Sequence, residues 1–367
     1  MEKIRSFLKH EPVFVIALLA AVVSCFFVPP DAAYAEYVDF RTLALLYALM
    51  VVVAGLRAAG VFTSLAQTLC GKANSTRVIG VMLVCLCFFS SMLITNDVAL
   101  LTFVPFAVIV LGMAGRKGDL IRVVVLQTVA ANLGSMLTPV GNPQNLYLHS
   151  YYNMSMGEFF SATFPVWGLS LVLLLLCCLF LPKVPLEAAL TEKTVLDRKS
   201  LWVYLALFVV CLLTVIRLLP WYFMLPIVIA ALLFFDRSRL KSADFVLLLT
   251  FVAFFVFAGN LARIDAVNAL LQSLLLGREY WTGLVTSQII SNVPAALLLS
   301  GFTSNAKALL LGVNIGGLGT PIASLASLIS LKLYTGTEDA RLGRFLLEFT
   351  VVNVLLLIIL SAFQLLL

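Results

Sequence analysis

Ala131-Asn132-Leu133-Gly134-Ser135-Met136-Leu137-Thr138-Pro139 returns later in the chain as Val313-Asn314-Ile315-Gly316-Gly317-Leu318-Gly319-Thr320-Pro321. Both copies follow N-[LI]-G-[SG]-x-x-T-P and both interrupt a long apolar stretch. Each is preceded by a short polar break, Thr95-Asn96-Asp97 in the first half and Ser291-Asn292-Val293-Pro294 in the second. Hydrophobic segments broken by Gly and Pro at corresponding positions of two halves are the mark of a secondary transporter whose site lies where the repeats meet.

Composition sets the solvent. Of 367 residues, 62% are hydrophobic and only 11% charged, too few to solvate a water-facing surface of this size. The chain is therefore expected to be an all-α polytopic membrane protein of the plasma (inner) membrane, with lipid as its partner. The net charge of +6 is then an inside/outside bias of loops and not a nucleic-acid footprint. The cysteines, Cys25, Cys70, Cys85, Cys87, Cys177, Cys178 and Cys211, are odd in number and mostly in apolar runs, which argues for small buried hydrophobes over a disulfide framework. Lys3, Arg5 and Lys9 ahead of an apolar run resemble a signal peptide. The run is about 17 residues, long enough to span with flanking help, and is taken as a retained first helix.

Nine full spans are expected, at 12–29, 40–57, 121–148, 160–181, 200–219, 221–235, 244–262, 306–333 and 345–366. Two further stretches, 78–113 and 280–302, are split by the polar tips into arms of about 11 to 17 residues, short for a crossing, and read as re-entrant hairpins. With the N-terminus inside and the C-terminus outside, only Arg41, Arg217, Arg263, Arg278 and Lys307 of the 24 Lys and Arg fall in outer segments, as the positive-inside rule requires. Val51-Val52-Val53-Ala54-Gly55 loosely matches Phe255-Val256-Phe257-Ala258-Gly259, in helices that then run in opposite directions. The repeats are inverted on this assignment. Residues 1–182 form the first (hairpin 78–113, broken helix 121–148). Residues 183–219 hold a cytoplasmic linker, 183–199, and a connecting helix. Residues 220–367 form the second (hairpin 280–302, broken helix 306–333).

The four breaks carry the chemistry. A tip exposes helix N–H groups that attract anions and helix carbonyls that attract cations. Asn96 and Asn292 occupy the tips, where an amide supplies both acceptor and donors. Thr138-Pro139-Val140-Gly141-Asn142-Pro143-Gln144-Asn145 and Thr320-Pro321-Ile322-Ala323-Ser324-Leu325 free carbonyls through proline and offer side-chain oxygens. The alternative for these stretches is a proline kink repaired by a hydroxyl; two at matching positions favour a site. Asp97 is the one acid near mid-membrane and could cap a helix, carry a proton or bind a cation. Arg344 and Glu348 are spaced as a local pair, and Tyr151-Tyr152 and Trp221-Tyr222 as interface anchors.

At these motifs the chain resembles the ion transporter superfamily, which includes citrate-transporter-like permeases, sodium–dicarboxylate symporters, arsenite permeases and sodium/proton antiporters. The likeness covers about residues 40 to 366 and is closest to short anion-permease-like members. It implies a homodimer with a moving binding unit. It implies a sodium site at Ser91, Asn96 and Gly141, a second at Ser287, Asn292 and Ala323, and substrate between Asn96, Asn142, Pro143, Asn292 and Ser324. Asp97 and Val293 stand where carboxylate symporters of this fold carry Thr. A carboxylate there repels a dianion unless it is protonated or holds a cation, which raises proton coupling, arsenite or antimonite efflux, or cation exchange.

Together the candidate substrate positions are Asn96, Asp97, Asn142, Pro143, Asn145, Asn292, Val293, Thr320 and Ser324. The ion positions are Ser91, Thr95, Asn96, Asp97, Gly141, Ser287, Asn292 and Ala323. The repeat motif is carried by Asn132, Gly134, Thr138, Asn314, Gly316 and Pro321. The expected function is a secondary active transporter for a small anion, a carboxylate or inorganic oxyanion, coupled to Na⁺ or H⁺, with no cofactor or metal beyond Na⁺. The alternatives are an arsenite/antimonite efflux permease or a Na⁺/H⁺ antiporter. No Walker loop is present. An intramembrane enzyme using Asp97 lacks a second acid or metal set, and dead-end hairpins suit alternating access better than a channel.

Overall fold

The computed structural model describes residues 11–70, 73–113, 116–185, 196–338 and 340–366. Lys3, Arg5, Lys9, Lys72 and Lys193, and most of the expected linker 183–199, lie outside the described residues. Within them the chain is all helix, α and short 3-10, with no strand. Seven helices are long and apolar enough to cross a membrane. They are α3 (Phe40–Ala58), α5 (Thr76–Ile94), α6 (Asn96–Met113), α9 (Met156–Cys178), α10 (Arg198–Val215), α12 (Phe245–Ala262) and α18 (Leu342–Gln364). The shorter helices are α1 (Pro12–Phe27), α2 (Tyr34–Tyr37), α4 (Val61–Cys70), α7 (Leu120–Ser135), α8 (Pro143–Tyr151), α11 (Trp221–Phe235), α13 (Asp265–Leu275), α14 (Glu279–Ile290), α15 (Asn292–Leu299), α16 (Ala306–Ile315) and α17 (Leu325–Thr335).

Starts are set by polar residues at the edge of apolar runs. Asp39 accepts the Thr42 N–H (3.0 Å) ahead of α3, and Asp244 accepts the Leu247 N–H (2.9 Å) ahead of α12. Ser155 and Glu158 form a reciprocal capping box on α9. Two expectations need correction. The arms of the first split stretch are 19 and 18 residues, not short, because α5 starts among Thr76 and Arg77, ahead of the apolar run; only the second pair, α14 and α15, is short at 12 and 8. Two amphipathic helices, α4 and α13, were not expected: at 10 and 11 residues they are too short to register as spans.

Element order recurs. A long helix, an amphipathic helix, a split pair, a broken helix and a long helix follow one another twice, as α3 to α9 and α12 to α18. Packing recurs too. A Cβ on Gly134 of α7 would lie 2.0 Å from the Phe88 carbonyl oxygen and 2.7 Å from Ser91 Oγ, both on α5. A Cβ on Gly316 at the end of α16 would lie 2.9 Å from Leu284 Cα and Ser287 Cβ on α14. Each motif glycine is therefore the point where the first arm lies directly on the broken helix.

The chain turns back at the first tip. Gly80 of α5 faces Val123 near the start of α7, and Phe88 faces Gly134 near its end, so α5 and α7 run parallel and start at the same end of the bundle. Gln127 of α7 donates to the Phe103 carbonyl of α6 (3.0 Å) and stands beside Cys87 of α5, two positions placed symmetrically about Thr95. α7 is buried along nearly its whole length, enclosed by α5, α6, α9, α17 and α18.

Polar contacts between loops fall into two sets. One joins Asp31 to Arg263 (2.7 Å), Arg41 to the Thr214 carbonyl, Arg217 to the Asn153 carbonyl and Tyr152 to the Thr303 carbonyl. The other joins Lys117 to Glu338, Arg122 and Arg344 to Glu348, Arg77 to the Leu181 carbonyl, and the Asp197 N–H to the Ala59 carbonyl. Tyr152 is thus held by protein, donating to the Ser300 and Thr303 carbonyls, rather than acting as a free interface anchor.

Candidate functional site

Both tips adopt one unusual conformation. Thr95 (φ 69°, ψ 150°) ends α5 and Ser291 (φ 76°, ψ 155°) ends α14, in a region that L residues rarely populate. Asn96 and Asn292 follow as the first residues of α6 and α15. The breaks match as well. α7 and α8 are joined through a 3-10 turn at Pro139–Gly141, and α16 and α17 through one at Pro321–Ala323. Asn142 then caps α8 by accepting the Asn145 N–H (2.9 Å), and Ser324 caps α17 by accepting the Ser327 N–H (3.2 Å).

The motif residues tie these parts together. Thr138 Oγ1 donates to the Met92 carbonyl, and Thr320 Oγ1 to the Gln288 carbonyl (3.2 Å), each four residues before the tip asparagine. Asn132 donates to Ser324 Oγ (3.0 Å) and Asn142 donates to Asn314 Oδ1 (3.2 Å). Asn132 and Asn314 are the motif asparagines, and Asn142 and Ser324 the caps ten residues later, so each half of the chain reaches across to the other by the same pair of positions. Asn314 also donates to Asn145 Oδ1 (2.6 Å), and Asn96 donates to Asn132 Oδ1 (3.1 Å). A buried amide chain therefore runs from the first tip through Asn132 to the second broken helix. Buried amides must find partners, and here they find them between the two broken helices.

Other candidates fall elsewhere. Asn292 and Val293 are buried, and Asn292 lies beside Gly317 with no side-chain hydrogen bond among the described residues. Ser91 donates to its own helix at Phe88 O (3.0 Å) and Ser287 to Gly283 O (2.7 Å). The Gly141 N–H donates to the Thr138 carbonyl, and the Ala323 carbonyl accepts from Ser291 Oγ (3.4 Å). Thr320 is exposed, and its hydroxyl is committed to Gln288. Sequence reasoning missed Gln288, whose amide donates to the Gly316 (2.6 Å) and Leu318 (2.9 Å) carbonyls and accepts from the Thr320 N–H (2.9 Å). A glutamine inside an apolar helix was the available signal.

One cavity of about 830 Å³ reaches this region. Thr95, Asp97, Asn142, Pro143 and Val140 line it at the site, α3 lines it with Leu46, Leu49, Met50 and Ala54, and α17 with Leu325, Leu328 and Ile329. Arg57, Arg239, Lys332, Glu11 and Asp244 add charge to its walls. Asp97 Oδ1 is shielded from solvent and has no hydrogen-bond partner among the described residues. Of the candidate substrate and ion positions only Thr95, Asp97, Asn142 and Pro143 are on this cavity; Ser91, Asn96, Gly141, Asn145, Ser287, Asn292, Val293, Thr320, Ala323 and Ser324 are not. At the opposite set of loops, Arg263 grips Asp31 with both guanidinium nitrogens and holds its carboxyl below the usual range.

A family model described as the citrate transporter matches residues 1–307. The chain belongs to the citrate transporter family. It is 35% identical over 332 residues to an uncharacterized transporter of Methanocaldococcus jannaschii, covering 89% of each chain. It is 30% identical to an inner membrane protein of Escherichia coli, over 89% of this chain and 88% of that one. A silicon efflux transporter of Oryza sativa subsp. japonica is 32% identical over 169 residues, 45% of this chain and 34% of its own. The citrate transporter family member described here is a multi-pass integral membrane transporter and not an enzyme.

Proposed function

We propose that the protein is a secondary active transporter that moves a small anion, a carboxylate or inorganic oxyanion, across the plasma membrane by alternating access, driven by Na⁺ or H⁺. The observation that carries this is the reciprocal pairing of Asn132 with Ser324 and of Asn142 with Asn314. It supports two repeats related by a two-fold exchange that meet at one polar centre inside an otherwise apolar bundle. In this reading the repeats are inverted, each split pair enters and leaves on one side, and the N-terminus is inside. The cargo lies against Asn96, Asn142, Pro143, Asn292 and Ser324. Na⁺, where it is the coupling ion, uses Ser91, Asn96 and Gly141 and their matches Ser287, Asn292 and Ala323.

One observation favours protons. Asp97 lines the cavity, and one of its oxygens is shielded and has no donor among the described residues. A proton there removes its repulsion of an anion and neutralises the charge that no donor offsets. Proton-coupled efflux of arsenite or antimonite is therefore the second reading. Uptake of labelled citrate, succinate, sulfate and arsenite into proteoliposomes, with a Na⁺ gradient, a pH gradient or neither, separates the two. No gradient-driven movement of any of them would remove the proposed function.

A further inference from the structure

A proline inside α6 fixes an arginine on the cavity wall. Pro105 has no N–H, so the Leu101 carbonyl four residues earlier lacks its helical donor. Arg57 Nη2, near the end of α3, donates to that carbonyl instead (3.0 Å). Among the described residues the guanidinium makes no further hydrogen bond and no ion pair, and Arg57 is exposed where it lines the cavity. One carbonyl occupies one donor of the guanidinium fork, and the other donors stay open to whatever fills the cavity.

Two helices give the direction from mouth to centre. α6 and α17 pack on each other. They start together, where Asn96 and Ser324 both meet Asn132, and they end together, where Lys117 beyond α6 meets Glu338 beyond α17 (3.5 Å). At the rise of an α-helix, Leu101 lies about 7.5 Å and Lys332 about 12 Å along these helices from the polar centre. Lys332 lines the same cavity, is exposed, and its ammonium has no partner among the described residues. Arg57 is two residues before Ala59, whose carbonyl takes the Asp197 N–H in the same set of loops as Lys117 and Glu338. Arg57 and Lys332 therefore stand between those loops and the centre. Arg239, the third cation on the wall, is already paired with Asp236 (3.0 Å). The acids of the outer wall, Glu11 and Asp244, stand at the starts of α1 and α12, which pack on each other, and Asp244 is engaged as the α12 cap.

We propose that Arg57, with Lys332 beyond it, is an approach site that holds an anion ionised at neutral pH, a carboxylate or a sulfate-like oxyanion, before it reaches Asp97 and Asn142. The inference rests on the transporter reading above and narrows its cargo. The centre offers uncharged amides and hydroxyls and one acid, so it has no cation of its own with which to draw an anion out of water. A guanidinium fork matches a carboxylate or oxyanion in shape as well as charge, and a positive wall raises the local concentration of such a solute. Arsenite, the cargo of the second reading, is uncharged at neutral pH and gains nothing from this site.

The simpler role for Arg57 is to cap the Leu101 carbonyl and nothing more. Pro105→Ala separates the two roles, because it returns an N–H to that carbonyl. Uptake of labelled citrate, succinate and sulfate into proteoliposomes is measured for Arg57→Gln and Arg57→Lys in the full chain, each with and without Pro105→Ala. Arg57→Gln should raise KM about tenfold with Vmax retained and weaken the dependence of KM on ionic strength. Arg57→Lys keeps the charge and should stay near the starting KM. With Pro105→Ala the KM rise should persist, while any fall in thermal midpoint caused by Arg57→Gln should disappear. A KM that returns to its starting value in that background would overturn the proposal and leave Arg57 as a cap. Should Arg57→Gln alone fold poorly, the Pro105→Ala background is the host for the measurement. Binding is read separately, by phenylglyoxal modification of Arg57 in detergent located by mass spectrometry. Citrate, succinate or sulfate should protect Arg57; arsenite, and chloride at matched ionic strength, should not. Absence of protection by all three anions would overturn the approach site, and uptake of any of them would then leave the transporter reading intact. Protection with none of them moved under any gradient would keep the site and remove the cargo assignment.

Discussion

Gly134→Ala is the sharpest perturbation the fold offers. The added carbon would sit 2.0 Å from the Phe88 carbonyl oxygen, 2.7 Å from the Phe88 carbonyl carbon and 2.7 Å from Ser91 Oγ. Non-bonded heavy atoms prefer about 3.5 Å or more, so α5 and α7 must separate by roughly 1 Å or more. The first two obstacles are backbone and cannot rotate away. Overpacking of this kind costs about 1–3 kcal/mol, a factor of about 5 to 150 in the folding equilibrium. The same displacement pulls Asn96 away from Asn132, so uptake should fall further than stability. Gly316→Ala should repeat the effect, since its carbon would press on Leu284 and Ser287. Gly168→Ala is the control. It lies inside α9 with nothing within 4 Å, and alanine there should be neutral or stabilising by up to about 1 kcal/mol. Thermal midpoints in detergent and initial uptake rates read all three. Wild-type midpoint and uptake for Gly134→Ala would refute the close-packing argument.

Asn132→Ala strands the Asn96 donor and removes the link to Ser324. It should cost about 1–3 kcal/mol, and a double-mutant cycle with Ser324→Ala should show non-additive thermal shifts. Thr95→Gly and Ser291→Gly remove side chains from strained backbone worth of order 1–3 kcal/mol, so the thermal midpoint should rise in each; a fall would mean that the hydroxyls hold the tips. Asp97→Asn should abolish uptake driven by a pH gradient, and unchanged uptake would exclude Asp97 as the proton carrier. Asp31 has its folded pKa depressed below the ordinary value of 3.8 by Arg263, so its contribution to stability is complete above that value and is lost as pH falls through the folded value. Asp31→Asn should flatten that acid limb of a thermal-midpoint profile while leaving the neutral range without a slope change.

The parts legible in sequence were those with a local physical cause. The motif announced itself because Gly134 and Gly316 admit no side chain, and Thr138 and Thr320 each reach a carbonyl on the preceding arm. Apolar runs gave five of the seven long helices, those expected at 40–57, 160–181, 200–219, 244–262 and 345–366; α5 and α6 were read as short arms, and the spans expected at 12–29, 121–148, 221–235 and 306–333 are shorter or broken helices. The Arg344–Glu348 pair followed from helical spacing. What was not legible depended on partners distant in the chain. Gln288 is one polar residue in an apolar helix until Gly316 and Leu318 come beside it. Thr320 looked like a ligand and is held by Gln288. The length of α5 was misjudged because the helix takes in the polar Thr76 and Arg77, which an apolar run leaves out.

The side chains that bind the two broken helices to each other are amides and hydroxyls, which carry no formal charge. Shifting such a centre through a membrane potential does no electrical work, whereas one elementary charge moved through 100 mV is worth about 2.3 kcal/mol. On the proposed function, this amide centre itself therefore adds nothing to the current of a transport cycle, and any current would report the cargo, a coupling ion or charged residues such as Asp97 and Lys332.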